Sequence, residues 1–346
     1  MAARAFITGL AGTALTPQER MFLRDADPWG VILFLRNIET ADQVRQLVSG
    51  FRDAVGRADA PVLIDQEGGR VQRLRPPLWP SYPAGAEYGR LYDADPDSGL
   101  AAARLGGRLI AADLAALGIT VDCLPVADVP VAGASVVIGD RAYGETAGKV
   151  AAIATAVAEG LRLGGVLPVV KHIPGHGRAT LDTHHGLPLV SASRSELEAT
   201  DFAAFRALRA LPMAMTAHVV FSAIDALAPA TTSATMVREV IRGSIGFDGL
   251  LMSDDLSMNA LSGAIGERAG AAIAAGCDIA LHCNGALDEM TAVAAQTPVL
   301  AGRAAERAAT ALSWRRPPED IELSAARRSF AALLARGRDQ DRIPVS

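Results

Sequence analysis

The chain of 346 residues is poor in lysine, cysteine and aromatic rings, and each shortage closes off a class of protein. Of its 33 basic residues only Lys149 and Lys171 are lysines. Against 38 acidic residues the formal net charge is −5, and neither sign forms a long run. That leaves no electrostatic footprint for nucleic acid or an anionic membrane. The three cysteines, Cys123, Cys277 and Cys283, are odd in number and form neither a CxxC nor a zinc spacing. They read as buried thiols of a reducing compartment. Trp29, Trp79 and Trp314 are too scattered to make a stacking platform. The longest uncharged stretch, Ala210–Ile224, holds Pro212 and His218 and at 15 residues is too short for a transmembrane helix. The apolar run at the N-terminus is too short for a signal peptide. The expectation is a cytoplasmic protein with no nucleic-acid or membrane partner.

What the chain does have is apolar residues, half of the total, enough for a large core without disulfides or metals as staples. Eight short apolar runs recur: Ala5–Thr8, Val31–Leu35, Val62–Ile64, Val121–Pro125, Leu167–Val170, Met213–Thr216, Leu250–Met252 and Ile279–Leu281. Brief, continuous and rich in Val, Ile and Leu, they look like strands buried on both faces. Helical patterns lie between them. Thr40-Ala41-Asp42-Gln43 and Ser193-Arg194-Ser195-Glu196 are capping boxes leading into apolar residues at helical spacing. Met236, Val237, Val240 and Ile241 make a third apolar face. Alternation of strand and helix predicts a parallel sheet, and eight units predict a closed (β/α)8 TIM barrel, α/β in class. An open doubly wound sheet would need a glycine fingerprint after its first strand, which Gly9-Leu10-Ala11-Gly12 matches poorly. No linker divides the chain, so residues 1–346 read as a single domain. Its end suits closing helices, punctuated by Pro317 and Pro318, and a polar tail from Arg336.

Chemistry in such a barrel sits where strands end. Polar residues cluster there: Phe34-Leu35-Arg36-Asn37, Asp65 to Arg73, Asp128, Gly139-Asp140-Arg141, Lys171 to Arg178, His218, Ser253-Asp254-Asp255, and His282 with Asn284. A charge at the edge of a core is costly unless paired or used. Of Ser253, Asp254 and Asp255, one can cap a helix holding Met258 and Leu261, leaving an aspartate for chemistry. Lys171, in a lysine-poor chain, favours a ligand contact. Asp65, Arg73 and Arg141 offer groups for sugar hydroxyls or anions. Glu67 and Asp140 read as supporting partners or loop caps. The glycine-rich Pro174-Gly175-His176-Gly177 opens a loop, expected to be mobile as far as His185, that can swing a catalytic group over the mouth. Within it Asp182 can orient and acidify His184.

Asp65-Gln66-Glu67-Gly68-Gly69-Arg70-Val71-Gln72-Arg73, Lys171-His172-Ile173-Pro174-Gly175-His176-Gly177, Asp182-Thr183-His184 and Ser253-Asp254-Asp255-Leu256-Ser257-Met258 occur in this order. Together they resemble the family 3 glycoside hydrolases, and within them the bacterial β-N-acetylglucosaminidases of the NagZ type. The resemblance runs from about Phe34 to Asn284. It implies a retaining exo-glycosidase that removes terminal β-1,4-linked N-acetylglucosamine from 1,6-anhydro-N-acetylmuramyl-peptide fragments in cell-wall recycling. It implies Asp254 as nucleophile, His184 as acid/base (the motif spacing favours it over His185) and Asp182 as its orienting partner. Sugar-binding positions map to Asp65, Arg73, Arg141, Lys171 and His172. No cofactor or metal is implied, and the partner is a small amino-sugar substrate. The association state stays open, with a monomer expected. Ile173 and Ala142 stand where phenylalanine and serine are common, and neither carries chemistry. The alternatives on this scaffold are a glycoside phosphorylase and a β-glucosidase. The latter are usually larger, with a glutamate acid/base from another domain, and the Asp182-Thr183-His184 loop points away from them. A metal-dependent barrel hydrolase is disfavoured because no His-x-His pair occurs.

Overall fold

Each of the eight apolar runs becomes a parallel strand. The computed structural model of the chain describes residues 3–340 apart from 182, 184 and 185. In chain order the strands are β1 (Arg4–Gly9), β2 (Pro28–Leu33), β3 (Val62–Ile64), β4 (Val121–Asp122), β5 (Leu167–Ile173), β6 (Met213–Thr216), β7 (Leu250–Asp255) and β8 (Ile279–His282). Sequence neighbours pair, and β1 also pairs with β8, Phe6 lying opposite Ala280 and Thr8 opposite His282. The sheet is therefore a closed (β/α)8 barrel. Ladder pairing of β4 stops at Asp122, short of Pro125, although the carbonyls of Leu124 and Pro125 still accept the N–H groups of Val169 and Lys171.

The continuous runs conceal a period of two, because successive side chains on a strand point to opposite faces. Ile7, Ile32, Leu63, Val121, Val169, Met213, Leu250, Met252 and Leu281 pack with one another inside the barrel. Phe6, Val31, Val62, Ile64, Val170, Ala214, Leu251 and Ala280 join the layer shared with the helices. A strand buried on both faces needs apolar side chains at every position, which is why no alternation shows in the sequence. Trp29 and, from the helix Gly302–Ser313, Ala308 and Ala311 join the interior cluster.

The predicted helix starts form, with their return arms diverted. Thr40 Oγ1 accepts the Gln43 N–H at 3.2 Å, but the Gln43 side chain accepts the N–H of Glu39 instead of that of Thr40. Ser193 Oγ accepts the Glu196 N–H at 3.3 Å, and the Glu196 carboxylate turns to Arg178. Met236, Val237, Val240 and Ile241 are buried on a π-helical stretch, Met236–Ser244. Pro317 and Pro318 separate the helices Gly302–Ser313 and Leu323–Gln340, and the second carries helical backbone past Arg336, where the sequence suggested a tail. Among the described residues no helix is long and apolar enough to cross a membrane.

Leu63 is fully buried inside the barrel. Leu63→Ala is expected to lower the unfolding free energy by about 3 kcal/mol, read from the urea midpoint at unchanged slope. A loss under about 1 kcal/mol would contradict a close-packed interior.

Candidate active site

Two strands change register at their C-terminal ends, and both carry site residues. The β5–β6 register shifts between Lys171 and Ile173, and the β7–β8 register between Met252 and Asp255. Irregularities of this kind re-aim side chains at a barrel rim. After β3, Gln66–Gly68 and Val71–Gln72 form an antiparallel hairpin. Its turn uses Gly68 at φ +94°, where a Cβ would stand 2.2 Å from the Pro83 carbonyl oxygen, so only glycine fits. Gln66 Oε1 accepts the N–H groups of Arg73 and Leu74, both at 2.9 Å. The hairpin thereby returns Arg73 to Asp65, Nη2 to Oδ2 at 3.0 Å.

Lys171 Nζ stands 2.8 Å from Asp65 Oδ1 and 2.7 Å from Glu67 Oε1. Arg141 grips both Glu67 oxygens at 2.8 Å. Arg73, Asp65, Lys171, Glu67 and Arg141 thus form one chain of alternating charge. Burial alone would raise the Asp65 carboxyl, but Lys171 and Arg73 outweigh it and hold it far below the usual carboxylate range. Burial likewise works to raise Glu67, yet Arg141 and Lys171 hold it down at about 2. Burial would lower Lys171, and the two carboxylates raise it instead. Asp65, Glu67, Lys171 and Arg141 therefore stay charged at neutral pH. Nearby, Asp122 has no ion-pair partner among the described residues. Burial pushes its carboxyl well above the normal range, and Oδ1 accepts only the Gln66 N–H.

His172 and His176 are tied to Asp128, which is fully buried. Asp128 Oδ2 lies 2.7 Å from His172 Nδ1, and Oδ1 accepts the backbone N–H groups of His172 and His176. The two rings meet edge to face, 5.7 Å between centres. His176 Nδ1 has no partner among the described residues. Burial first, then the neighbouring His172, lowers its imidazole to about 4.

These residues surround a pocket of about 320 Å³. Its floor is the uppermost layer of the barrel interior: Ile32, Met215, Leu281 and Cys283. Asp65, Glu67, Arg73, Arg141, Lys171, His172 and Asp254 line its walls. The adjacent aspartates separate cleanly. Asp255 accepts the Ser257 N–H and Oγ and the Cys283 N–H. It caps a turn, and the expected helix around Met258 and Leu261 is absent because the next helix starts at Ile265. Asp254 Oδ1 accepts the Asp255 N–H, and no cation among the described residues pairs with it.

Sequence similarity agrees with this geometry. The model of the glycosyl hydrolase family 3 N-terminal domain matches residues 11–311. The chain belongs to glycosyl hydrolase family 3. It is 42% identical over 280 residues to a β-hexosaminidase of Alkalilimnicola ehrlichii, covering 80% of this chain and 79% of that one. It is 37% identical over 330 residues to one of Chromobacterium violaceum, covering 94% and 91%. Among solved structures it resembles NagZ from Neisseria gonorrhoeae in complex with N-trifluoroacetyl-D-glucosamine. The TM-score there is 0.84 at 32% identity, over 97% of this chain and 98% of that one.

The five sugar-binding candidates and Asp254 come together in one pocket. Asp182, His184 and His185 lie outside the described residues. At the start of the segment expected to be mobile, Gly177 abuts the Val129 carbonyl, and Arg178 bonds Asp201, Glu196 and Thr200. Two other strand-end histidines are structural. His218 bonds Thr231 and the Asp255 carbonyl, and His282 pairs with Glu289. Phe34, Arg70 and His176 line the pocket without having been singled out as binding residues. Arg73 stacks over the Phe34 ring at 5.1 Å.

Two outcomes follow from these charges. Lys171→Met leaves Asp65 and Glu67 facing each other, and the unfolding free energy is expected to fall by about 3 kcal/mol. A change within about 0.5 kcal/mol in urea unfolding would refute the network. His176 takes up its proton near 6.5 when unfolded but near 4 when folded. The folded state carries no penalty above about pH 6.5, and stability falls as pH drops from there towards 4, by up to about 3 kcal/mol. His176→Gln should flatten that window in a series of urea midpoints, while an unchanged slope would assign it to other groups.

Proposed function

We propose that this β-N-acetylhexosaminidase releases terminal β-linked N-acetylglucosamine from cell-wall fragments in the cytoplasm, with retention of configuration. The observation that carries the reading is the contrast among the pocket's carboxylates. Asp65 and Glu67 are neutralised by Lys171, Arg73 and Arg141, and Asp255 holds a turn. Asp254 is left in the wall without a cationic partner among the described residues, next to an apolar floor. A carboxylate so placed can approach an anomeric carbon and share its charge with a developing oxocarbenium ion.

In the first step Asp254 attacks the anomeric carbon, the glycosidic bond breaks, and His184 gives its proton to the leaving oxygen. In the second step His184 takes a proton from water, the hydroxide so formed displaces Asp254, and the sugar leaves with its original configuration. The roles of His184 and of Asp182 behind it rest on the motif they share with the family. Asp65, Arg73, Arg141, Lys171 and His172 would hold the sugar ring. Held in place by their own ion pairs and hydrogen bonds, these side chains bind hydroxyls without rearranging during the reaction.

The test is nitrophenol release from the β-N-acetylglucosaminide and from the β-glucoside, at low and high phosphate. Wild type is expected to act on the first alone, at a rate independent of phosphate. Asp254→Ala is expected to lose roughly a thousandfold or more in kcat. A phosphate-dependent rate would turn the reading to phosphorolysis. Turnover of the glucoside would turn it to a β-glucosidase, and Asp254→Ala at full rate would remove the nucleophile.

A further inference from the structure

Behind His172 stands a carboxylate that the hydrolytic steps do not use. Asp128 follows β4, is fully buried and makes three hydrogen bonds. Two come from backbone N–H groups, of His172 at 3.2 Å and His176 at 2.6 Å, and both end on Oδ1. A backbone N–H can only donate, so Oδ1 is committed as an acceptor. Oδ2 lies 2.7 Å from His172 Nδ1. Two backbone donors on Oδ1 favour the carboxylate form, which has no proton to give, and the neighbouring His172 and His176 hold the Asp128 carboxyl below its ordinary value against the effect of burial. The proton of that third bond therefore sits on His172 Nδ1. In a neutral imidazole the other nitrogen then carries a lone pair.

His172 lines the pocket beside Lys171 and Asp254. With Nδ1 engaged by Asp128, Nε2 is the nitrogen left for a ligand. We propose that Asp128 is a positioning residue that fixes His172 in its Nδ1–H tautomer, so that Nε2 meets the sugar as the acceptor for a ring hydroxyl proton. The neighbouring groups show what this adds. Lys171, Arg73 and Arg141 can only donate. Asp65 and Glu67 accept, but their oxygens already face those cations. The lone pair on Nε2 supplies an acceptor that is not already committed to a cation of the wall. The inference rests on the glycosidase reading and adds the direction of one bond to it.

Asp128→Asn is the discriminating variant. Its amide oxygen can keep the two backbone N–H groups, while its NH₂ faces His172 Nδ1 and donates to it. The ring proton must then move to Nε2, turning the acceptor into a donor. Ring ¹⁵N spectra of the substrate-free protein at about pH 9, where an ordinary imidazole is neutral, read this directly. Wild type should show a protonated Nδ1 and an unprotonated Nε2, with the assignment reversed in Asp128→Asn. A protonated Nε2 in wild type, or an unreversed pattern in the variant, would overturn the proposal. The wild-type spectrum decides even if the variant fails to fold.

The kinetic arm uses nitrophenyl β-N-acetylglucosaminide. Asp128→Asn should raise KM about tenfold with kcat within about threefold, as for a bond made equally in ground and transition states. The same change on a His172→Phe background should add almost nothing, because Asp128 acts through that ring. Fully additive losses would assign Asp128 a purely structural role and overturn the proposal. The spectra need no substrate, so failure of the glycosidase reading is seen separately, as absent turnover by wild type.

Discussion

An ammonium group taken out of water governs the mouth of this barrel. Lys171 is almost fully buried, and a buried cation is tolerable only with anions in contact. Asp65 and Glu67 supply them, but two anions around one cation leave an excess, so each carboxylate takes a second cation. Arg73 reaches Asp65 because the hairpin after β3 folds back, and Arg141 reaches Glu67 because the segment after β4 passes over the pocket. One desolvated lysine thus commits three strand ends to a shared geometry. Asp122 marks the limit of the arrangement: a further buried carboxyl, with no ion-pair partner among the described residues, is pushed by burial towards its neutral form.

The pocket is the continuation of the barrel's interior rows. Ile32, Leu63, Val169, Met252 and Leu281 point inward, and two residues on come Phe34, Asp65, Lys171, Asp254 and Cys283. All five line the pocket. A strand that presents apolar side chains to the interior need only change chemistry at its last inward position to furnish a site. The scaffold and the site are therefore one structure, and a binding group inherits the rigidity of the packed layer beneath it.

Much of this was legible in the sequence because burial on both faces writes itself as continuous apolar runs, and all eight marked strands. The period of two within those runs was hidden, since both parities are apolar, and with it the rule that separates Asp254 from Asp255. Counting from Met252 assigns Asp254 to the inward row, but only once the inward parity of Met252 is known. Glu67 was read as a supporting partner, and it does neutralise Lys171 and Arg141. Asp128 could not be weighed from sequence: it gains meaning from His172, which is 44 residues away and adjacent only through the pairing of β4 with β5. The glycines of Pro174-Gly175-His176-Gly177 suggested looseness. In the fold Gly177 serves close packing against Val129, because composition does not distinguish a glycine that permits motion from one that permits contact.

The division of labour among the carboxylates follows from the cost of breaking an ion pair. A carboxylate held by two cations, as Asp65 is, must give up those contacts before its oxygen can form a bond to carbon. For a largely buried carboxylate that loss is only partly recovered from solvent. Such a group suits binding, where its charge stays in place from substrate to product. The nucleophile's role proposed for Asp254 needs the opposite: an oxygen positioned by the backbone, here by the end of β7 and by the Asp255 N–H, and not already held by a cation. The same argument sets the task of the acid/base group. It must exchange protons with both the leaving oxygen and water, so it cannot belong to the rigid ion-pair wall. In the proposed mechanism that task falls to His184.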